Sequence, residues 1–216
     1  MQISDGTKQV IDLIQSLLPI MERLARLAKS LGLGRTPLPA HSYENEFLDL
    51  TLDLRDAAGK RAVVIHKQRV RFLVEDAGVV MSPIWGQGDQ ARKYELEGAT
   101  RLGSRPAGPR QIQSLSLERS PTKNMVATIY GRRTVIDGFT QDREYFEAVV
   151  ERPTKRLSIK VLFPRGRVPT EAYLTETLGS SSQRLPVRLG RDRRARVRWS
   201  HITPSPQTVY SLRWAW

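Results

Sequence analysis

The apolar positions of the chain change from a helical to a strand-like spacing near residue 40. Between residues 7 and 31, sorting by sevens leaves four apolar columns and three polar ones, the pattern of an amphipathic helix. Ser4 or Asp5 can cap its start, and Gly32 or Gly34 can end it. We predict one long N-terminal helix, with an apolar face of Val10, Ile11, Ile14, Leu17, Leu18, Met21, Leu24 and Leu31.

Beyond the helix the apolar positions alternate with a period of two, as β-strands require. The alternation is clearest over residues 47–54, 157–163 and 210–216. Turn-forming residues separate further predicted strands at 61–74, 93–97, 111–117, 125–130, 133–138, 144–151, 172–177 and 194–201. The pattern predicts a mainly β fold, an antiparallel β-sandwich (Ig-like or similar). It divides the chain into the helix at 1–34, a linker at 35–42 and the sandwich at 43–216.

The apolar face of the helix is wider than a single contact requires, so we expect one side to pack on its own domain and the other on a second surface. Three interpretations stay open: the helix packs wholly on its own sandwich, it docks on a partner or a second copy, or it binds a membrane surface. Membrane binding is the least favoured, because the helix lacks bulky aromatic residues and its charge is nearly balanced.

The charge of the chain is basic and unevenly distributed. Residues 1–108 carry 15 Lys+Arg and 13 Asp+Glu, whereas residues 109–216 carry 20 and 9. Such a surplus favours nucleic acid, an anionic membrane or an acidic protein face, or it serves solubility alone. The chain has no cysteine, no apparent signal peptide and no membrane-spanning run. We therefore expect a cytoplasmic protein.

Sequence motifs for catalysis are missing. The chain has no Gly-x-Ser-x-Gly, Walker or His-Glu-x-x-His motif. The histidines His41, His66 and His201 lie far apart, with no partner at metal-ligand spacing. His66 follows an apolar run, and we interpret it as structural. We predict no enzymatic activity, no metal and no cofactor.

Pairs of carboxylates do occur at alternate positions, where two side chains share one strand face. Asp142/Glu144 and Glu44/Glu46 could in geometry form a general acid/base pair, although solvated strand faces have the same pattern. Glu44, Glu46, Asp49 and Asp53 more plausibly form a negative stripe that pairs with basic strands.

The most distinctive local feature of the sequence is an arginine-rich segment at residues 191–199. If it forms a hairpin arm, Ala195, Val197 and Trp199 face the core. One interpretation is a ribbon that tracks a phosphate backbone, and the other is an edge strand protected from aggregation by charge. The candidate anion or nucleic-acid residues are Arg165, Arg167, Arg191, Arg193, Arg194, Arg196 and Arg198.

Residues 134–139, residues 153–164 and the closing Tyr210–Trp216 run form a pattern that resembles uncharacterised bacterial β-domains, which sit beside signalling or defence effectors. The resemblance covers about half of the chain and carries no catalytic residues. It implies an accessory or sensor module.

These observations lead to two hypotheses. The first is a non-enzymatic accessory, scaffold or sensor module that acts by protein–protein interaction, its helix binding another protein or a second copy of the chain. The alternative is a nucleic-acid-binding protein that uses the arginine-rich ribbon.

Overall fold

The computed structural model describes residues 42–84, 91–107, 110–177 and 182–216, all within the unit Pro39–Trp216. The predicted helix and the linker up to residue 41 lie outside the described residues. The described strands are β1 (Tyr43–Leu54), β2 (Arg61–Phe72), β3 (Val79–Ile84), β4 (Ala91–Glu97), β5 (Thr100–Ala107), β6 (Arg110–Ser116), β7 (Val126–Ile136), β8 (Arg143–Val150), β9 (Arg156–Leu162), β10 (Glu171–Glu176), β11 (Ser182–Arg184), β12 (Arg188–Leu189), β13 (Ala195–Ile202) and β14 (Thr208–Ala215).

The strands form three sheets. A seven-stranded sheet has the order β12-β13-β9-β1-β2-β7-β4, a four-stranded sheet β11-β10-β14-β8, and a three-stranded sheet β3-β6-β5. The predicted mainly β fold is confirmed. The expectation of antiparallel pairing throughout was wrong for β1 and β9, which run parallel from Leu48↔Leu157 to Asp53↔Leu162. A parallel pair needs a long crossover connection, and the chain between β1 and β9 supplies it.

The main core lies between the seven-stranded and four-stranded sheets. Alternate residues of β1, β9 and β13 point into it, and Leu52, Ile159 and Val197 are each 0% exposed. The four-stranded sheet contributes Phe146, Leu212 and other alternate residues of β8 and β14. Period-two alternation is what gives each strand one apolar face, and burial of these faces against each other stabilises the pair of sheets.

The three-stranded sheet contacts the β1–β2–β7–β4 half of the seven-stranded sheet through polar side chains. The Tyr43 hydroxyl accepts a hydrogen bond from the backbone N–H of Met81 at 2.9 Å. The Tyr94 hydroxyl donates to Gln113 Oε1 at 2.8 Å. These contacts join β1 to β3 and β4 to β6.

The predicted strands at 125–130 and 133–138 are one strand, β7. Gly131 and the two arginines after it interrupt the apolar alternation, which is why the sequence indicated a break. In the structure Gly131 faces inward, where a Cβ atom would lie 3.4 Å from the Tyr94 hydroxyl oxygen. Arg133 is buried beside it at 7% exposure.

Candidate anion-binding face

The seven-stranded sheet has an outer face, opposite the main core, and strand register arranges its side chains in rows. Arg188 lies opposite Arg196 on β13, and Arg196 lies opposite Leu162 on β9. In the next row Arg198 lies opposite Lys160. Because paired residues on adjacent strands project to the same face, this end of the sheet has several positive side chains on one side.

The negative stripe of β1 lies on the same outer face and is paired with basic residues, as predicted. Glu44 contacts Lys155 Nζ at 2.7 Å, Glu46 contacts Arg69 Nε at 2.9 Å and Asp49 contacts Arg156 at 3.4 Å.

Glu46 also accepts hydrogen bonds from Arg71, and these bonds lower the pKa of the Glu46 carboxyl. A carboxylate held in its charged form by arginines is poorly suited to accept and release protons near neutral pH. Glu44 and Glu46 therefore serve as ion-pair partners.

The predicted ribbon arginine Arg194 is largely buried and serves the fold. Its guanidinium donates to the carbonyl oxygens of Phe163 at 2.8 Å and Leu54 at 2.9 Å, and to Asp53 Oδ1 at 2.5 Å. Its side chain is 17% exposed and that of Asp53 is 8% exposed. Arg194 thus connects the start of β13 to the ends of β9 and β1, and it is not free for a partner.

Two other predicted arginines are held by local contacts. Arg196 forms an ion pair with Asp192 at 2.8 Å. The Arg167 guanidinium stacks over the Trp216 ring at 3.8 Å and donates to the carbonyl oxygen of Ala57. Such cation–π and carbonyl contacts fix the orientation of a side chain, so the Arg167 side chain is held against Trp216.

The remaining predicted arginines are exposed. Within the part of the chain that the structure describes, none of them forms an ion pair. The end of β9 lies beside the start of β13, so the loop after β9 and the turn between β12 and β13 meet at one end of the sheet. The exposed arginines and two outer-face residues that sequence reasoning missed, Lys160 and Arg188, form what we call the basic surface. Its residues are Lys160, Arg165, Arg188, Arg191, Arg193 and Arg198.

The face also has a pocket that sequence reasoning missed. Its volume is about 300 Å³, and its lining is Arg55, Arg61, Val63, Glu95, Arg132 and Thr134. Arg132 lies 3.5 Å from Glu95, and Arg55 lies 2.7 Å from Asp53 Oδ2. Arg61 forms no ion pair with any described residue.

The β1–β2 turn brings Arg55 and Arg61 together. Asp56 accepts hydrogen bonds from the backbone N–H groups of Ala58, Lys60 and Arg61, which closes the turn in the way that aspartate favours. The Arg55 N–H donates to the Arg61 carbonyl at 2.8 Å. The two arginines are therefore cross-strand neighbours, an arrangement that is unfavourable for like charges.

The inner face of the same strands contains a polar cluster between the apolar residues. Arg133 lies opposite Tyr94, and His66 lies opposite Gly131. Burial and the charge of Arg133 lower the pKa of His66 to about 4, so this imidazole is neutral at pH 7. Burial lowers the pKa of Arg133 to about 10, which leaves it charged. The buried Nε2 atom of His66 has no hydrogen-bond partner among the described residues, and a structural role for His66 stays a prediction.

The two members of the other carboxylate pair have different environments. Asp142 is exposed, whereas Glu144 is buried and accepts a hydrogen bond from the Gln141 N–H at 2.7 Å. Burial raises the pKa of Glu144. In the described ranges no group of three or more His, Cys, Asp or Glu residues could hold a metal ion. None of these residues forms a helix that could span a bilayer.

No protein-family description and no curated protein matches the chain. Among solved structures, a putative protease from Parabacteroides distasonis aligns at a TM-score of 0.52 and 6% identity, over 82% of this chain and 41% of that one. An M1 zinc metallopeptidase from Deinococcus radiodurans aligns at a TM-score of 0.47 and 8% identity, over 79% and 42%. The chain therefore spans less than half of these proteins. The likeness to the first concerns the fold alone.

Proposed function

We propose that this chain is a non-enzymatic interaction module that binds an acidic protein. Its sheets provide a rigid platform, and the basic surface provides the contact. The observation that carries the proposal is the basic surface itself: three positive residues on the outer face of β9, β12 and β13 and three more in the adjoining loop and turn, with no ion-pair partner among the described residues. Other charges of this face, by contrast, are paired along the negative stripe.

One feature favours a protein over nucleic acid as the partner. Trp199, the aromatic residue of the ribbon, is 9% exposed and packs on Tyr210 at 5.0 Å. A single-stranded nucleic acid would use exposed aromatics for base stacking.

The fold likeness to proteases does not extend the proposal to peptide hydrolysis. The zinc site of many metallopeptidases needs a His-Glu-x-x-His motif, and these 216 residues contain none. The predicted docking face of the N-terminal helix stays part of the proposal as a second protein contact, supported by its sequence pattern.

The test is a binding titration of the full chain with a fluorescein-labelled decaglutamate peptide. We expect binding that weakens as salt rises, because exposed charges are screened. The double variant Lys160→Glu/Arg198→Glu should lower the affinity about tenfold or more. The matched control, Arg143→Glu/Arg213→Glu, makes the same charge change at exposed positions of the four-stranded sheet and should change the affinity about threefold or less.

Equal losses in both double variants would contradict the proposal, because they would show dependence on net charge alone. A labelled ten-nucleotide single strand tests the alternative function. If it binds much more tightly than the peptide and loses affinity only in Lys160→Glu/Arg198→Glu, nucleic acid is the partner.

A further inference from the structure

The pocket on the outer face has an excess of positive charge. Arg55, Arg61 and Arg132 line it, and Glu95 is the acidic residue of the lining. The carboxylate of Asp53 forms ion pairs with two arginines, with Arg55 through Oδ2 and with Arg194 through Oδ1. Among the described residues, two carboxylates thus accompany four arginines, an excess of two positive charges.

Backbone pairing holds these arginines near one another. Arg55 and Arg61 flank the base of the β1–β2 turn, joined by the hydrogen bond between their backbones. Arg132 lies on the next strand, opposite Ile65 of β2. Val63 forms part of the lining between them and is 4% exposed although it is on the outer face. The pocket therefore has an apolar base and positive walls.

We propose that this pocket binds a phosphate monoester group. A dianion matches the excess of two positive charges, and its oxygens can accept charge-assisted hydrogen bonds from guanidinium groups on different strands. A single carboxylate or a phosphodiester carries one negative charge and matches the pocket less well. The inference goes beyond the proposed function, because it assigns a second anion-binding site, with different lining residues, on the same face.

Arg61 is the main anchor of the bound group. Arg55 and Arg132 each contact a carboxylate already, at 2.7 and 3.5 Å, whereas Arg61 forms no ion pair with a described residue. Asp53 is a positioning residue, since its contact with Arg55 holds that guanidinium at the pocket wall while Arg194 holds Asp53.

The test is an NMR titration of the ¹⁵N-labelled full chain with inorganic phosphate, O-phosphoserine and acetate at constant ionic strength and pH 7.5. We expect phosphate and phosphoserine to shift the amide signals of Arg61, Val63 and Arg132 until the shifts saturate. Acetate should bind at least about tenfold more weakly than phosphate. Arg61→Gln should weaken phosphate binding about tenfold or more. Arg69→Gln, the same change on the same face of β2 but paired with Glu46, should leave it unchanged.

Equal phosphate affinity of Arg61→Gln and the parent, or equal shifts with acetate and phosphate, would overturn the proposal. Circular dichroism spectra that match the parent should show that both variants are folded. The two titrations test the phosphate site and the proposed function separately. A chain that does not respond to phosphate but binds decaglutamate would contradict only the phosphate site. Loss of decaglutamate binding, with the phosphate response intact, removes only the acidic-protein partner.

Discussion

Arg194 and Arg133 are both largely buried arginines of the seven-stranded sheet, in opposite surroundings. Arg194 donates to Asp53 and to several backbone carbonyls at the ends of β1 and β9. Arg133 is 7% exposed, faces Tyr94, and has no carboxylate partner among the described residues. A buried charge is tolerated when its hydrogen bonds and counter-charge are supplied. We therefore expect the first arginine to stabilise the fold and the second to lower its stability.

The largest expected effect is at the well-paired arginine. Arg194→Met leaves Asp53, with a side chain 8% exposed, paired with Arg55 alone. Removing one partner of a buried ion pair costs roughly 3 kcal/mol or more, so the free energy of unfolding in urea should fall by about that amount. Arg198→Met, at an exposed position of β13, should alter the free energy of unfolding by about 0.5 kcal/mol or less. Equal effects would show that the Arg194 contacts add no stability.

A second, smaller effect is a pH dependence from His66. Its pKa is lowered from 6.5 to about 4 in the folded chain, so below pH 6.5 the unfolded state binds a proton that the folded state does not. Stability is then present above pH 6.5 and is lost as the pH falls towards 4. Between pH 7 and pH 4.5, the free energy of unfolding in urea should fall by roughly 2 kcal/mol less in His66→Leu than in the parent. Parallel pH profiles of the two proteins would contradict this.

The smallest expected effect is at Arg133, which has no carboxylate partner among the described residues. Arg133→Met replaces this buried charge with an apolar side chain of similar length. The free energy of unfolding should rise by roughly 1 kcal/mol, and the pKa of His66 should rise, because the charge of Arg133 contributes to lowering it. Arg132→Met, the adjacent position on the outer face, should leave both unchanged. A less stable Arg133→Met variant would show that Arg133 has a compensating partner.

The sequence predicted the strands whose inner and outer residues differ most in polarity. β1, β9 and β14 alternate clearly because one face of each meets the main core. It also predicted the negative stripe, since acidic residues at alternate positions of a strand pair with basic neighbours. β3 and β5 were missed, because Pro83 and Gly103 interrupt their patterns. β11 and β12, at three and two residues, are too short to show periodicity.

The candidate site was less predictable, because it depends on register and on contacts distant in sequence. Alternation alone places Arg194, Arg196 and Arg198 on one face. It does not show that Arg194 reaches Asp53, 141 residues away. Nor does it bring Arg55 and Arg61 together with Arg132, since that requires the pairing of β2 with β7. Lys160 was accessible to sequence reasoning, because Ile159 and Val161 on either side of it point to the core.

The most direct measurement of where an acidic partner binds is amide hydrogen exchange of the full chain, with and without saturating decaglutamate. Binding at the basic surface predicts slower exchange in the loop after β9 and in the β12–β13 turn at 190–194. It predicts no change in β8 and β14 of the four-stranded sheet. Protection confined to β8 and β14, or spread evenly over the molecule, would contradict the claim that the basic surface of the seven-stranded sheet is the binding surface.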